Sequence, residues 1–126
     1  MLGVALILAA AAAPAFPDAF SAWRLDVRDH AGAYAVIEGD PDGRGTWDLR
    51  VTCGTRDARG RETVLYRGRG HAAAGLRPGF GGTHAASGGA TSGFDAQPTD
   101  DRLVVEVLAS GPAPCPGGRG ELSTGD

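Results

Sequence analysis

The feature that most constrains this chain is a period-two alternation of apolar and polar residues, which puts every second side chain on one face of an extended strand. In Trp23-Arg24-Leu25-Asp26-Val27-Arg28 the apolar residues face one way and the charges the other. The stretch Trp47-Asp48-Leu49-Arg50-Val51-Thr52-Cys53 repeats the pattern and aims the Cys53 sulfur at the core. Ala33 to Ile37 is apolar on both faces and predicts a more central strand. Glu62 to Arg67 completes a hairpin with the third strand, and Arg102 to Ala109 reads as a closing strand in which Leu103, Val105 and Val107 share a face. Asp29 to Gly32, Gly39 to Gly43 and Gly54 to Gly60 carry the turn residues between them.

Two regions do not fit this rhythm. Residues 71–100 are rich in Gly and Ala, with only Leu76, Phe80 and Phe94 as large apolar anchors. They read either as one or two short strands, near 80–84 and 90–94, or as a mobile loop. From Gly111 the chain is a Pro/Gly-rich tail whose prolines stop it from continuing a ladder. Five strands at antiparallel spacing, with no capped helical periodicity, predict one all-β domain over residues 16–126. The expected architecture is an immunoglobulin-like antiparallel β-sandwich, with a small barrel as the alternative.

Residues 1–15 read as a signal peptide. From Met1 to Ala13 there is no charged side chain, and Val4 to Leu8 followed by alanines has the length of an apolar export core. That run is too short for a stable membrane span, which takes about 20 apolar residues. Ala13 and Ala15 fit the small-residue positions that a signal peptidase reads, so cleavage is expected after Ala15. Cys53 and Cys115, the only two cysteines, would then meet an oxidising compartment and form one disulfide. The expected location is periplasmic or secreted.

Composition excludes more than it selects. The formal charge is −3, and all 12 basic residues are arginines spread along the chain. That is no basic patch for nucleic acid. Asp40-Pro41-Asp42-Gly43 begins like a calcium loop but lacks the downstream glutamate, and reads as a turn. His30, His71 and His84 are placed in loops without metal-ligand spacing, so no metal or other cofactor is expected. Ser87 or Ser92 with His84 and Asp95 lacks any nucleophile elbow, and Gly79 to Gly82 lacks the strand and helix of a phosphate cradle. A binding protein fits these residues better than an enzyme.

With the strands placed, the stretch from Trp23 to Gly111 resembles the curli-type amyloid chaperone family. The resemblance is carried by the short first strand, by Tyr34 to Glu38, by Gly45-Thr46-Trp47-Asp48-Leu49-Arg50-Val51, by Thr63-Val64-Leu65-Tyr66-Arg67-Gly68 and by Asp101 to Val107. It implies a periplasmic protein of immunoglobulin-like fold that keeps unfolded amyloid-forming subunits from assembling early. Thr63, Leu65 and Arg67, alternating against Val64 and Tyr66, are the expected binding surface. The other readings are a generic secreted immunoglobulin-like binding or adhesion module, and a hydrolase inhibitor that uses 71–100 as its plug. The exported protein is expected to begin at Phe16; intact-mass measurement of the exported chain checks this, and retention of Met1 to Ala15 would remove the export argument.

Overall fold

The computed structural model describes residues 16–75 and 78–124. The expected signal peptide, and Leu76 among the anchors of the Gly-rich segment, lie outside the described residues. Eight strands follow one another: β1 (Trp23–Arg28), β2 (Ala33–Pro41), β3 (Thr46–Arg56), β4 (Glu62–Ala74), β5 (Phe80–Ala85), β6 (Ser92–Pro98), β7 (Val104–Ser110) and β8 (Gly118–Thr124). Each pairs antiparallel with its chain neighbours, and β1 also pairs with β8, from Trp23 opposite Thr124 to Val27 opposite Gly120. The sheet is therefore a closed up-and-down barrel.

The closure corrects the expected immunoglobulin-like sandwich. A sandwich splits its strands between two sheets joined by crossovers, whereas here every strand lies beside its sequence neighbours and the first meets the last. The strand that decides this is β8, in the segment read as tail. Pro112 to Gly117 does interrupt the ladder, but only as the connection that leads β7 into β8. Gly118-Arg119-Gly120-Glu121-Leu122 alternates inward and outward with a single large apolar residue, so its pattern is faint. Glycine suits the inward site at 120 because the space is already filled: a Cβ on Gly120 would stand 2.8 Å from Leu25 Cδ1 and 3.2 Å from Val27 Cγ2.

The Gly-rich segment resolves into strands. His71 to Ala74 ends β4, and β5 and β6 take up much of the rest, with Phe80, Phe94 and Ala96 buried. His71 and His84 accordingly lie in strands, not in loops. The other inward faces agree with the alternation: Trp23, Leu25 and Val27, then Trp47, Leu49, Val51 and Cys53, then Val105 and Val107 are all buried.

The interior is a packed core. Trp23, Trp47, Phe80 and Phe94 form a cluster of tilted and edge-to-face contacts, with Trp23 and Phe80 centroids 4.7 Å apart. Such arrangements put ring edges on ring faces, as the aromatic quadrupole favours. Trp47 Nε1 donates to the Ser21 carbonyl at 3.0 Å and so ties the N-terminal segment to this end of the barrel. Phe16 is buried there beneath the Arg102 guanidinium, which lies 4.3 Å from its ring centroid. Trp23 Nε1 is buried without a partner, a local cost the packing must outweigh. On the outside stand charges such as Arg24, Asp26, Asp48, Arg50, Glu106 and Glu121, the reverse of the apolar-out pattern of a membrane-spanning barrel.

Large rings need small neighbours in so narrow a barrel. Gly39 on β2 lies directly against the Trp23 indole, and a Cβ there would overlap its Cε2 and Cζ2 atoms. Gly39→Val is expected to destabilise the protein by about 1–3 kcal/mol, the usual cost of overpacking, read as a lower urea midpoint with unchanged slope. An unchanged midpoint would show that Trp23 is not held against β2.

Candidate functional site

The wall of the barrel is uneven in height. β3 pairs with β4 over the whole span from Glu62 to Ala73, but β5 pairs with β4 only from Arg69 to Ala74. Residues 62–68 of β4 thus have β3 on one side and no strand on the other, and the β3–β4 hairpin stands above the β5 side of the wall. Along this seven-residue edge, alternate backbone N–H and C=O groups point at an absent neighbour. Val64 and Leu65, both exposed, lie on the same stretch.

The edge is shaped by a bulge. Cys53 faces Tyr66 while Gly54 faces Val64, so Leu65 is the extra residue of β4 and has no partner in β3. A bulge shifts the alternation by one and sharpens the local twist. Thr63, opposite Thr55, consequently has the parity of the Cys53 face, whereas Arg67, opposite Thr52, lies on the outer face. The three residues expected to share a surface, Thr63, Leu65 and Arg67, are all exposed but are turned in different directions. Strict period two could not reveal this. The near signal was Gly54, whose missing Cβ leaves room for the Thr63 carbonyl to approach.

Beneath the hairpin the upper end of the barrel is closed by a covalent tie. Cys53 and Cys115 form the expected disulfide, with 5.2 Å between their Cα atoms and a sequence separation of 62. In the loop-entropy model such a link stabilises the fold by about 4 kcal/mol. It also pins the 111–117 connection over the barrel mouth, where the Ala113 N–H donates to Ser92 Oγ at 2.9 Å. A disulfide of this kind fits an oxidising, non-cytoplasmic compartment. Among the described residues no helix is long and apolar enough to cross a membrane.

Inside the same mouth Tyr66 and His84 are joined by a hydrogen bond of 2.8 Å between the phenol oxygen and Nδ1. Burial pushes the His84 imidazole below the ordinary histidine range and the Tyr66 phenol above its own. Neither group is arranged for catalysis with its neighbours. Ser92, the cross-strand partner of His84, is occupied by Ala113, and Asp95 lies on the outer face, so Ser92, His84 and Asp95 do not form a triad. Ser87 stands in the exposed β5–β6 turn.

The remaining sequence candidates fall into turns and surface pairs. The Asp42 carboxylate accepts from the Arg44 N–H at 2.8 Å and from the Thr46 hydroxyl, and these bonds hold it below the usual carboxylate range, with the Thr46 hydroxyl foremost. Asp40 pairs instead with Arg50 at 3.3 Å. Asp40 to Gly43 is thus the end of β2 and a turn, with Gly43 at φ 82°. His71 Nδ1 lies 3.2 Å from Asp48 Oδ1 on the exposed face. No group of three or more His, Cys, Asp or Glu side chains able to hold a metal ion occurs among the described residues.

These features define a small, disulfide-tied, eight-stranded up-and-down barrel with a packed interior and a free strand edge at its rim. No family model, curated protein or solved structure matches the chain.

The buried histidine makes stability depend on pH. The unfolded chain protonates His84 near the ordinary value of about 6.5, while the native state resists the proton. Its packing therefore contributes fully above that value and loses its contribution as pH falls below it. The stability gap between wild type and His84→Gln, measured by urea unfolding, is expected to shrink between pH 7.5 and pH 5. A gap that stays constant would mean that His84 is not held neutral.

Proposed function

We propose that this protein is an extracytoplasmic binding module that takes up extended, β-prone polypeptide as an added strand on the free edge of β4, and that it acts as a chaperone for unfolded amyloid-forming subunits, most simply in the periplasm. The observation that carries this reading is the unpaired edge from Glu62 to Gly68. Strand addition takes its affinity from main-chain hydrogen bonds and its selectivity from alternate side chains. Val64 and Leu65 offer apolar contact beside those bonds.

The same edge is poorly suited to templating a fibril. Fibril growth needs a flat strand that pairs on both sides and stacks in register. Here β3 occupies one side, Leu65 bulges out of the ladder, and Arg56 and Glu62 form an ion pair across the hairpin. A segment docked on β4 would meet a twisted dead end, which is how such an edge can delay assembly without itself aggregating. The curli-type resemblance suggests the kind of client, a disordered chain of β-prone repeats, and the unpaired stretch of β4 supports the reading that such a chain is held by strand addition. The hydrolase-inhibitor alternative relied on a protruding loop over 71–100, and the described part of that segment is largely strand.

Substoichiometric mature protein is expected to lengthen the lag of fibril formation by an amyloid-forming subunit, followed by thioflavin fluorescence. Leu65→Pro, which changes the edge and leaves the β3–β4 pairs on either side of the bulge, is expected to shorten that lag towards the value without chaperone. An unchanged lag at equimolar wild-type protein would sink the reading.

A further inference from the structure

A second feature lies against the free edge, on the outer face of the barrel. Glu38, Arg50, Thr52, Arg67, Arg69 and Ser87 border a groove of about 480 Å³, floored by Val51 and Gly68. It opens where β5 ends at Ala85 and leaves β4 alone, so groove and free edge are continuous at Arg67 and Gly68.

The charge of this groove opposes that of the chain as a whole. The protein carries a formal charge of −3, yet three arginines and one glutamate face the groove. Arg50 and Arg69 are direct cross-strand partners on β3 and β4. Like charges placed opposite one another destabilise a sheet, so this pairing works against the fold. Arg50 is partly neutralised by Asp40 at 3.3 Å and Glu38 at 4.0 Å. Glu38 is shared in turn with Arg24 at 3.7 Å. Arg67 and Arg69 have no carboxylate within ion-pair distance among the described residues. Their strand neighbours are Thr52, Arg50 and Ala85, none of which is acidic.

Spacing then selects the ligand. Arg67 and Arg69 are two residues apart on one face of β4, hence separated by about 7 Å along the strand. Carboxylates at alternate positions of an extended polypeptide repeat at that same interval, and a guanidinium can take each one through two parallel hydrogen bonds. We infer that the groove formed by Arg50, Arg67 and Arg69 is a recognition site for an extended acidic polypeptide segment whose backbone follows the free edge of β4 up to Arg67, with carboxylate side chains at alternate positions reaching Arg67 and Arg69 diagonally, one step along the strand, since Ala85 of β5 takes the place beside Arg69. This rests on strand addition at that edge and adds the chemistry of the partner to it. The partner side chains on the outer face are acidic, and the apolar contacts come from the part of the segment that passes Val64 and Leu65.

The test uses the disulfide-intact mature protein and two labelled ten-residue peptides of alternating Thr and Val, one with Glu and one with Gln at three alternate positions. Fluorescence anisotropy is expected to show the Glu peptide bound at least tenfold more tightly than the Gln peptide, with the advantage shrinking as salt is raised from 50 to 300 mM. Arg67→Gln combined with Arg69→Gln, both on an exposed face, is expected to abolish the preference without lowering the urea midpoint, since the change also removes the Arg50–Arg69 repulsion. Amide exchange of residues 62–68 is expected to slow when the Glu peptide binds. Equal affinity for the two peptides, with exchange still slowed, overturns the acidic preference and leaves strand addition standing. Tight binding of the Glu peptide with no slowing of exchange overturns strand addition, and the backbone placement inferred here with it. Competition by inorganic phosphate or an anionic polysaccharide at the same concentration of charge would reduce the groove to an unselective anion site and overturn the inference.

Discussion

The pairing of β1 with β8 is the constraint on which the rest of this structure depends. Without it the sheet would have two long free edges, and Trp23, Leu25 and Val27 would line one of them. With it those residues become the wall of a closed interior. Closure is possible because the two strands are unequal: at the seam β1 contributes the large Trp23, Leu25 and Val27, while β8 meets them with Gly120 and one leucine. Two bulky strands at this seam would not fit around an aromatic cluster that already fills the barrel.

Once closed, the barrel is plugged at both ends by segments that are not strands. At one end Trp47 holds the Ser21 carbonyl and Phe16 lies under Arg102. At the other the Cys53–Cys115 disulfide draws the 111–117 connection over Tyr66 and His84. Among the described residues the longest break in the wall is the excess length of β4 over β5, and it leaves the kind of backbone that natural sheets otherwise cover.

Part of this was legible in the residues. The hairpin of β3 and β4 follows from two alternating runs around a polar turn, and the disulfide from the presence of just two cysteines, one of them on the inward face of an alternating strand. The free edge of β4 was readable only as a location. Its shape depends on the Leu65 bulge, and a single extra residue leaves no mark in hydrophobic periodicity because Val64, Leu65 and Tyr66 are all apolar or aromatic. The arginine groove was still less visible. Arg50 and Arg69 are 19 positions apart, and only the register of β3 against β4 makes them neighbours.

By itself, then, the sequence determined the faces of the strong strands, the all-β class and the covalent link, since each follows from local alternation or from cysteine count. Tertiary structure alone decided that the sheet closes and that Gly-rich runs become β5, β6 and β8. Glycine carries no apolar signal of its own. Its value as a strand residue depends on which side chain lies across from it, as Gly39 lies against Trp23 and Gly120 against Leu25, and those neighbours come from elsewhere in the chain.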